Sequence, residues 1–228
     1  MSDVDATRAR ILEAAGAVFA EKGFDNATIR EICQLAGANL AAVNYHFGDK
    51  RHLYVETVKR AHQARVERSP LPNWPADVPA QVKLRDFIET FLTRLLCPDH
   101  ATWHVQLMMR ELASPREACE ALVRDNIQPE SLLLDAILQE LLPPQTPAAK
   151  RRLIGFSVVG QCLHYRLGGA VIRLLTPQDE YRRFTPRYLA DHITEFTLAA
   201  LGAASPATPA DRSRAGAPAL AAAGSDAP

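Results

Sequence analysis

Residues Thr28–Leu53 read TIREICQLAGANLAAVNYHFGDKRHL, and this stretch decides how the rest of the chain is interpreted. Thr28 followed by Glu31 fits a capping box, in which each side chain satisfies a backbone N–H at a helix start. Ile29, Ile32, Cys33 and Ala36 then recur at helical spacing. Gly37 stands where a glycine ends a helix in the left-handed region. Asn39 is a second N-cap, opening a helix over Leu40–Phe47. Gly48 ends that helix and Asp49 caps a third. Helix, glycine-containing turn, helix is the spacing of a helix-turn-helix, whose second helix enters the major groove and meets base edges with its N-terminal half.

That second helix, LAAVNYHF, has no Lys or Arg. Asn39, Asn44, Tyr45 and His46 supply its polar groups, and the short side chains of Ala41 and Ala42, beside Leu40, would admit close approach to the bases. Thr28, Arg30 and Lys50 lie around it, positioned for phosphate contacts together with Arg51, Lys59 and Arg60. On spacing alone an ordinary helical hairpin is an equal alternative.

The residues also carry a resemblance. AGANLAAVNYHFGDKRHLY resembles the end of the DNA-binding domain of TetR/AcrR regulators, with Gly37, Val43, His46, Phe47, Lys50 and Leu53 in register. Upstream, Ile11, Ala14, Phe19, Gly23 and Thr28 match the same family. The chain departs from the pattern at Asn39, where Ser is usual, and at Asn44, where Tyr is commonest. The Asn39–Gly48 segment looks like the subgroup with a CecR/CerR-like C-terminal domain. The resemblance implies an all-α protein with a three-helix DNA-binding head and a helical body. It further implies an effector pocket, a homodimer joined through the last two helices, and DNA binding relieved by a small molecule. The CecR-like segment points to control of an exporter or detoxification operon.

The chain has 228 residues, 47% of them hydrophobic, which is enough for a sizeable core and excludes wholesale disorder. Its net charge is zero. Nucleic-acid binding therefore requires the cations to be placed locally, a few of them tracking phosphates. No apolar run approaches the length needed to cross a bilayer. The start, Met1-Ser-Asp-Val-Asp5, is acidic and lacks the apolar core of an export signal, so a cytoplasmic protein is expected. Cys33, Cys97, Cys119 and Cys162 are widely spaced and read as small core residues, with a redox sensor as the alternative.

Outside the helix-turn-helix, Ala6–Lys22 is a helix stopped by Gly23, and Asp49–Arg68 is a longer one joining head to body. The prolines between Ser69 and Pro79 mark a loop. Helices are expected over Pro79–Cys97 and Ala101–Ala113. A long one follows from Ser114-Pro115 to Leu142, kinked or interrupted at Pro129, and two more start at Thr146-Pro147 and Thr185-Pro186. The division is a helix-turn-helix domain over 1–53, an effector-binding and dimerisation domain over 54–202, and a disordered tail over 203–228.

Two groups of body residues are of the kind that line a ligand site: Trp103, His104, Met108 and Glu111 within two turns, and Gln161, His164 and Tyr165 on one helical face. Satisfied polar groups in a core are the competing reading. A metal held by His104 and His164 is weaker, since no cluster of Cys or carboxylates accompanies them. No cofactor is expected. The chain lacks GxGxxG, Walker A, HExxH and GxSxG signatures, which argues against an enzyme. The leading reading is a dimeric repressor of an operator in double-stranded DNA, with the sign of regulation, repression or activation, left open by the sequence; the alternative is a helical adaptor whose head binds protein.

Overall fold

The computed structural model describes residues 3–96, 102–115 and 117–202, and all regular structure among them is helical. The head is α1 (Asp3–Asn26), α2 (Ile29–Ala36) and α3 (Leu40–Phe47). The capping box at Thr28 is present in both directions: the Thr28 hydroxyl accepts from the Glu31 N–H at 3.2 Å, and Glu31 accepts from the Thr28 N–H at 3.2 Å. Gly37 ends α2 at φ 60°, a left-handed conformation that costs a glycine little. Asn39 accepts from the Ala42 N–H at 2.8 Å and opens α3. Gly23 breaks α1 at φ 75°, as its place in the sequence predicts, and a final turn follows to Asn26.

The body contains α4 (Lys50–Arg68), α5 (Ala80–Leu96), α6 (Thr102–Ala113), α7 (Glu117–Leu122), α8 (Gln128–Leu141), α9 (Ala148–Leu167), α10 (Gly169–Leu175), α11 (Gln178–Tyr181) and α12 (Pro186–Ala200). The break expected at Pro129 is a π-helical segment, Val123–Ile127, between α7 and α8. Pro129 has no N–H to return to the carbonyl of Asp125, and the N–H of Gln128 reaches Val123 instead, widening the turn. Thr185 caps α12 as expected, accepting from the Tyr188 N–H at 3.3 Å. Thr146 does not cap α9. The helix starts one residue later than expected, behind Pro147, without a side-chain cap. The tail over 203–228, Cys97 and Ala101 lie outside the described residues.

Two apolar clusters organise these helices. The first holds Ile11, Phe19, Ile32, Val43, Phe47, Leu53, Tyr54 and Val58, and includes Trp103, Leu107 and Leu122 from the body. The second holds Leu84, Phe87, Ile88, Leu92, Leu134, Leu138, Val158 and Ile193. Helix α4 borders α1 on one side and α6 and α7 on the other. Its N-terminal half, Leu53 to Val58, lies in the first cluster, and its C-terminal residues His62 and Arg65 are buried farther along the body.

Candidate DNA-binding face and effector cavity

Helix α3 is anchored by one face and offers the other. Val43 and Phe47, four residues apart, are buried in the head cluster. Leu40, Ala41, Asn44 and Tyr45 are exposed, Tyr45 to 79%, whereas Ala42 and His46 are half-buried. Leu40, Ala41, Asn44 and Tyr45 therefore share one outward surface, with Arg30 exposed beside it on α2, whereas Ala42 packs against the head cluster. Three of the residues expected to meet DNA have structural duties as well. Thr28 is engaged by Glu31, and Asn39 spends its carbonyl on the cap, leaving its amide N–H groups available. The Lys50 ammonium lies 4.6 Å from the centre of the Phe24 ring and donates to the Asp25 carbonyl at 3.3 Å, so it clips α4 to the end of α1. Asp49, capping α4 through the His52 N–H, is held below the usual carboxylate range by that bond.

The seven residues expected to line an effector site do not converge. Trp103, His104 and Glu111 are buried at the seam between head and body. The Trp103 indole donates to Glu13 of α1 at 2.7 Å and stacks on His104 at 3.8 Å between ring centres. Tyr54 of α4 donates to Glu111 at 2.5 Å. Gln161 is half-buried and donates back to the Ser157 carbonyl, and His164 is exposed. Tyr165 borders a separate recess, facing Phe184. His104 and His164 are thus on different surfaces, not around one metal. The helical spacing of these residues did not report what each side chain packs against, and His164, expected on a buried face, is exposed.

Met108 alone among the seven lines an apolar cavity of the body, about 340 Å³ between α4, α5, α6, α8 and α9. That is within the range of small-molecule sites. Phe87, Phe91, Leu134, Leu138, Val159 and Leu163 supply apolar wall. One end is charged. Arg94 pairs with Glu130 and donates to the Ser69 carbonyl at 2.8 Å. Arg65 donates to the Arg94 carbonyl at 3.3 Å and to the Met108 sulfur at 2.9 Å. Burial pulls Arg65 down to about 10, which leaves it charged at neutral pH. Burial, reinforced by Arg65 and Arg94, pulls His62 down to about 4, so its imidazole is neutral there. Sequence reading missed His62, Arg65 and Arg94; Arg65 follows His62 by three residues on α4, a faint signal of a polar inward face.

The three cysteines among the described residues are poor redox sensors on this geometry. Burial pushes the thiols of Cys33 and Cys119 up and that of Cys162 to about 12, away from the reactive thiolate.

Comparison with known proteins agrees with this architecture. Residues 11–57 match the model of bacterial regulatory proteins of the tetR family, and residues 80–203 match the C-terminal domain of the HTH-type transcriptional dual regulator CecR. The CecR dual regulator of Shigella flexneri is 28% identical over 180 residues, covering 73% of this chain and 78% of its own. The transcriptional repressor AcnR of Corynebacterium diphtheriae is 27% identical, covering 78% and 86%. A tetR-family regulatory protein from Rhodococcus superposes with a TM-score of 0.64 at 20% identity over 90% of this chain and all of its own, a likeness of fold. A transcriptional regulator from Pseudomonas aeruginosa gives 0.62 at 24% identity over 86% and 90%. With its helix-turn-helix head and a CecR-type body spanning more than half its length, the chain belongs to the TetR family and is a DNA-binding transcriptional regulator, not an enzyme.

Proposed function

We propose that the protein is a homodimeric repressor that binds a palindromic operator and is released by a small molecule held in the body cavity. The observation that carries this reading is the run of α4 through both parts. Leu53 and Tyr54 at its start belong to the head cluster, and His62 and Arg65 two to three turns on line the cavity. A ligand that moves the wall of the cavity moves the helix from which the head hangs.

In a dimer the two α3 helices have to reach successive major grooves about 34–36 Å apart, so a small tilt of each α4 is amplified into lost register. The effector has to bind the DNA-incompetent state more tightly, since equal affinity shifts nothing. DNA must then weaken effector binding by the same factor. Leu153 and Phe156 on α9 and Tyr188 and Phe196 on α12 are exposed apolar side chains on helices that touch each other, which supports the dimer.

The test begins with a gel shift against the DNA upstream of the protein's own gene, with salt dependence. A helical adaptor would give no specific shift. Titrating an effector found by thermal shift into free and operator-bound protein then checks the coupling: identical affinities would remove induction. Genome-wide mapping of binding sites tests whether the regulated genes encode an exporter or detoxifying enzyme.

A further inference from the structure

The cavity is unevenly charged. Arg65, Arg94, Arg151 and Arg152 line it against Glu130 and Asp135. Both carboxylates are already committed, Glu130 to Arg94 and Asp135 to Arg151 at 2.9 Å. Arg152 is exposed at the mouth. Arg65 is different. It is only 5% exposed, and among the described residues it forms no ion pair. Its ε N–H goes to a carbonyl and one η nitrogen to a thioether, a weak acceptor. The other η nitrogen has no hydrogen bond to any described residue. Buried guanidiniums are ordinarily paired, because an uncompensated charge out of water is costly. His62 beside it brings no compensating negative charge. With the exposed Arg152 set aside, the site therefore has one positive charge more than its own carboxylates neutralise, at the end of an otherwise apolar chamber.

We infer that the effector is an organic anion with an apolar body, its carboxylate or similar monoanionic group seated on Arg65 and its body between Phe87, Phe91, Leu134, Leu138 and Leu163. The planar guanidinium fork matches a carboxylate, and a charge-assisted bond out of water exceeds one between neutral partners. A neutral ligand of the same shape would leave Arg65 as it is and gain only the apolar wall. A cationic ligand would meet repulsion from Arg65.

This rests on the cavity being the effector site, and the experiment separates the two. Isothermal titration of the full-length protein compares matched pairs: decanoate with decan-1-ol, and 1-naphthoate with 1-naphthamide. The expected result is at least one pair in which the carboxylate binds about tenfold or more tightly than its neutral partner. In Arg65→Leu that preference falls to about one, with the neutral member's affinity retained. In Arg152→Ala the preference persists. Val159→Trp, which fills the chamber, weakens both members. Should Arg65→Leu not fold, the wild-type pairs still decide whether the ligand is an anion, and Arg65→Lys, which keeps the charge but loses the planar fork, tests the seat by a weakened preference.

Neutral members binding as tightly as the carboxylates, both weakened by Val159→Trp, would overturn the anion assignment and leave the cavity site standing. A carboxylate preference that survives in Arg65→Leu would overturn the seat on Arg65. Binding of every member unaffected by Val159→Trp, or binding of none, would overturn the cavity reading and this inference with it.

Discussion

Three side chains can be tested one at a time. Asn44 is exposed on the outward face of α3, with its amide unspent on capping. Asn44→Ala is expected to lower specific affinity by about 1–3 kcal/mol if the amide reads an adenine edge, and selected operator sites should relax at one position per half-site. Unchanged site preference would leave Asn44 without a reading role. Lys50 is both clip and cation. Its replacement by Ala is expected to weaken binding to all DNA sequences alike and to flatten the salt slope by about one, while loss of the contact with Phe24 costs about 0.5–1 kcal/mol in thermal stability. A defect confined to one operator base would contradict a phosphate role. His62 sets an acid limit. Its folded value, about 4, lies below the 6.5 of an ordinary imidazole, so between those values the unfolded chain binds the extra proton. The stability this group contributes is complete above pH 6.5 and is lost as pH falls toward 4, on the order of 2–3 kcal/mol over the whole window. Thermal melts of the wild type should show that slope and those of His62→Gln should lack it.

Among the elements, α1 and α6 meet closely where head joins body. Gly16 faces Trp103 so closely that a Cβ added there would come within 2.3 Å of the indole ring. Gly16→Ala must displace the ring, breaking the bond to Glu13 and its stacking on His104. A loss of about 1–3 kcal/mol is expected in chemical denaturation, with effector affinity little changed because Trp103 does not border the cavity. A Gly16→Ala protein of unaltered stability would mean that Trp103 is not clamped there. The seam also explains why three of the residues expected to bind an effector are structural: Trp103 donates to Glu13 of α1, Glu111 accepts from Tyr54 of α4, and His104 lies against the Trp103 ring.

For the whole molecule, the exposed apolar surface of α9 and α12 is expected to bury itself against a second copy. The double variant Leu153→Glu, Phe196→Glu places charges on both helices at exposed apolar positions. It should sediment as a monomer and lose operator affinity while keeping weak, salt-sensitive DNA binding. One head then holds one half-site, and the affinity gained by linking two is gone. A dimer surviving both substitutions would move the interface elsewhere, with α10 the next surface to examine, since Leu174 is 84% exposed. No helix among the described residues is long and apolar enough to cross a membrane.

The local rules of the chain were decisive in the head. Thr28, Glu31, Gly37, Asn39 and Asp49 act through bonds or dihedral angles within a few residues, so caps and helix ends were legible from order alone, as were the breaks at Gly23 and Pro129. The inward face of α3 was less legible: Leu40 is as well spaced from Val43 as Phe47 is, yet only Val43 and Phe47 are buried. The cavity was not legible. Its walls come from five helices separated by as much as a hundred residues, and nothing in the spacing of Arg65 and His62 on α4 signals Arg94 on α5 or Glu130 on α8. Periodicity reports which side chains share a face. Which faces meet is decided by packing over the whole chain, and so are the charge left unpaired on Arg65 and the structural duty given to Trp103.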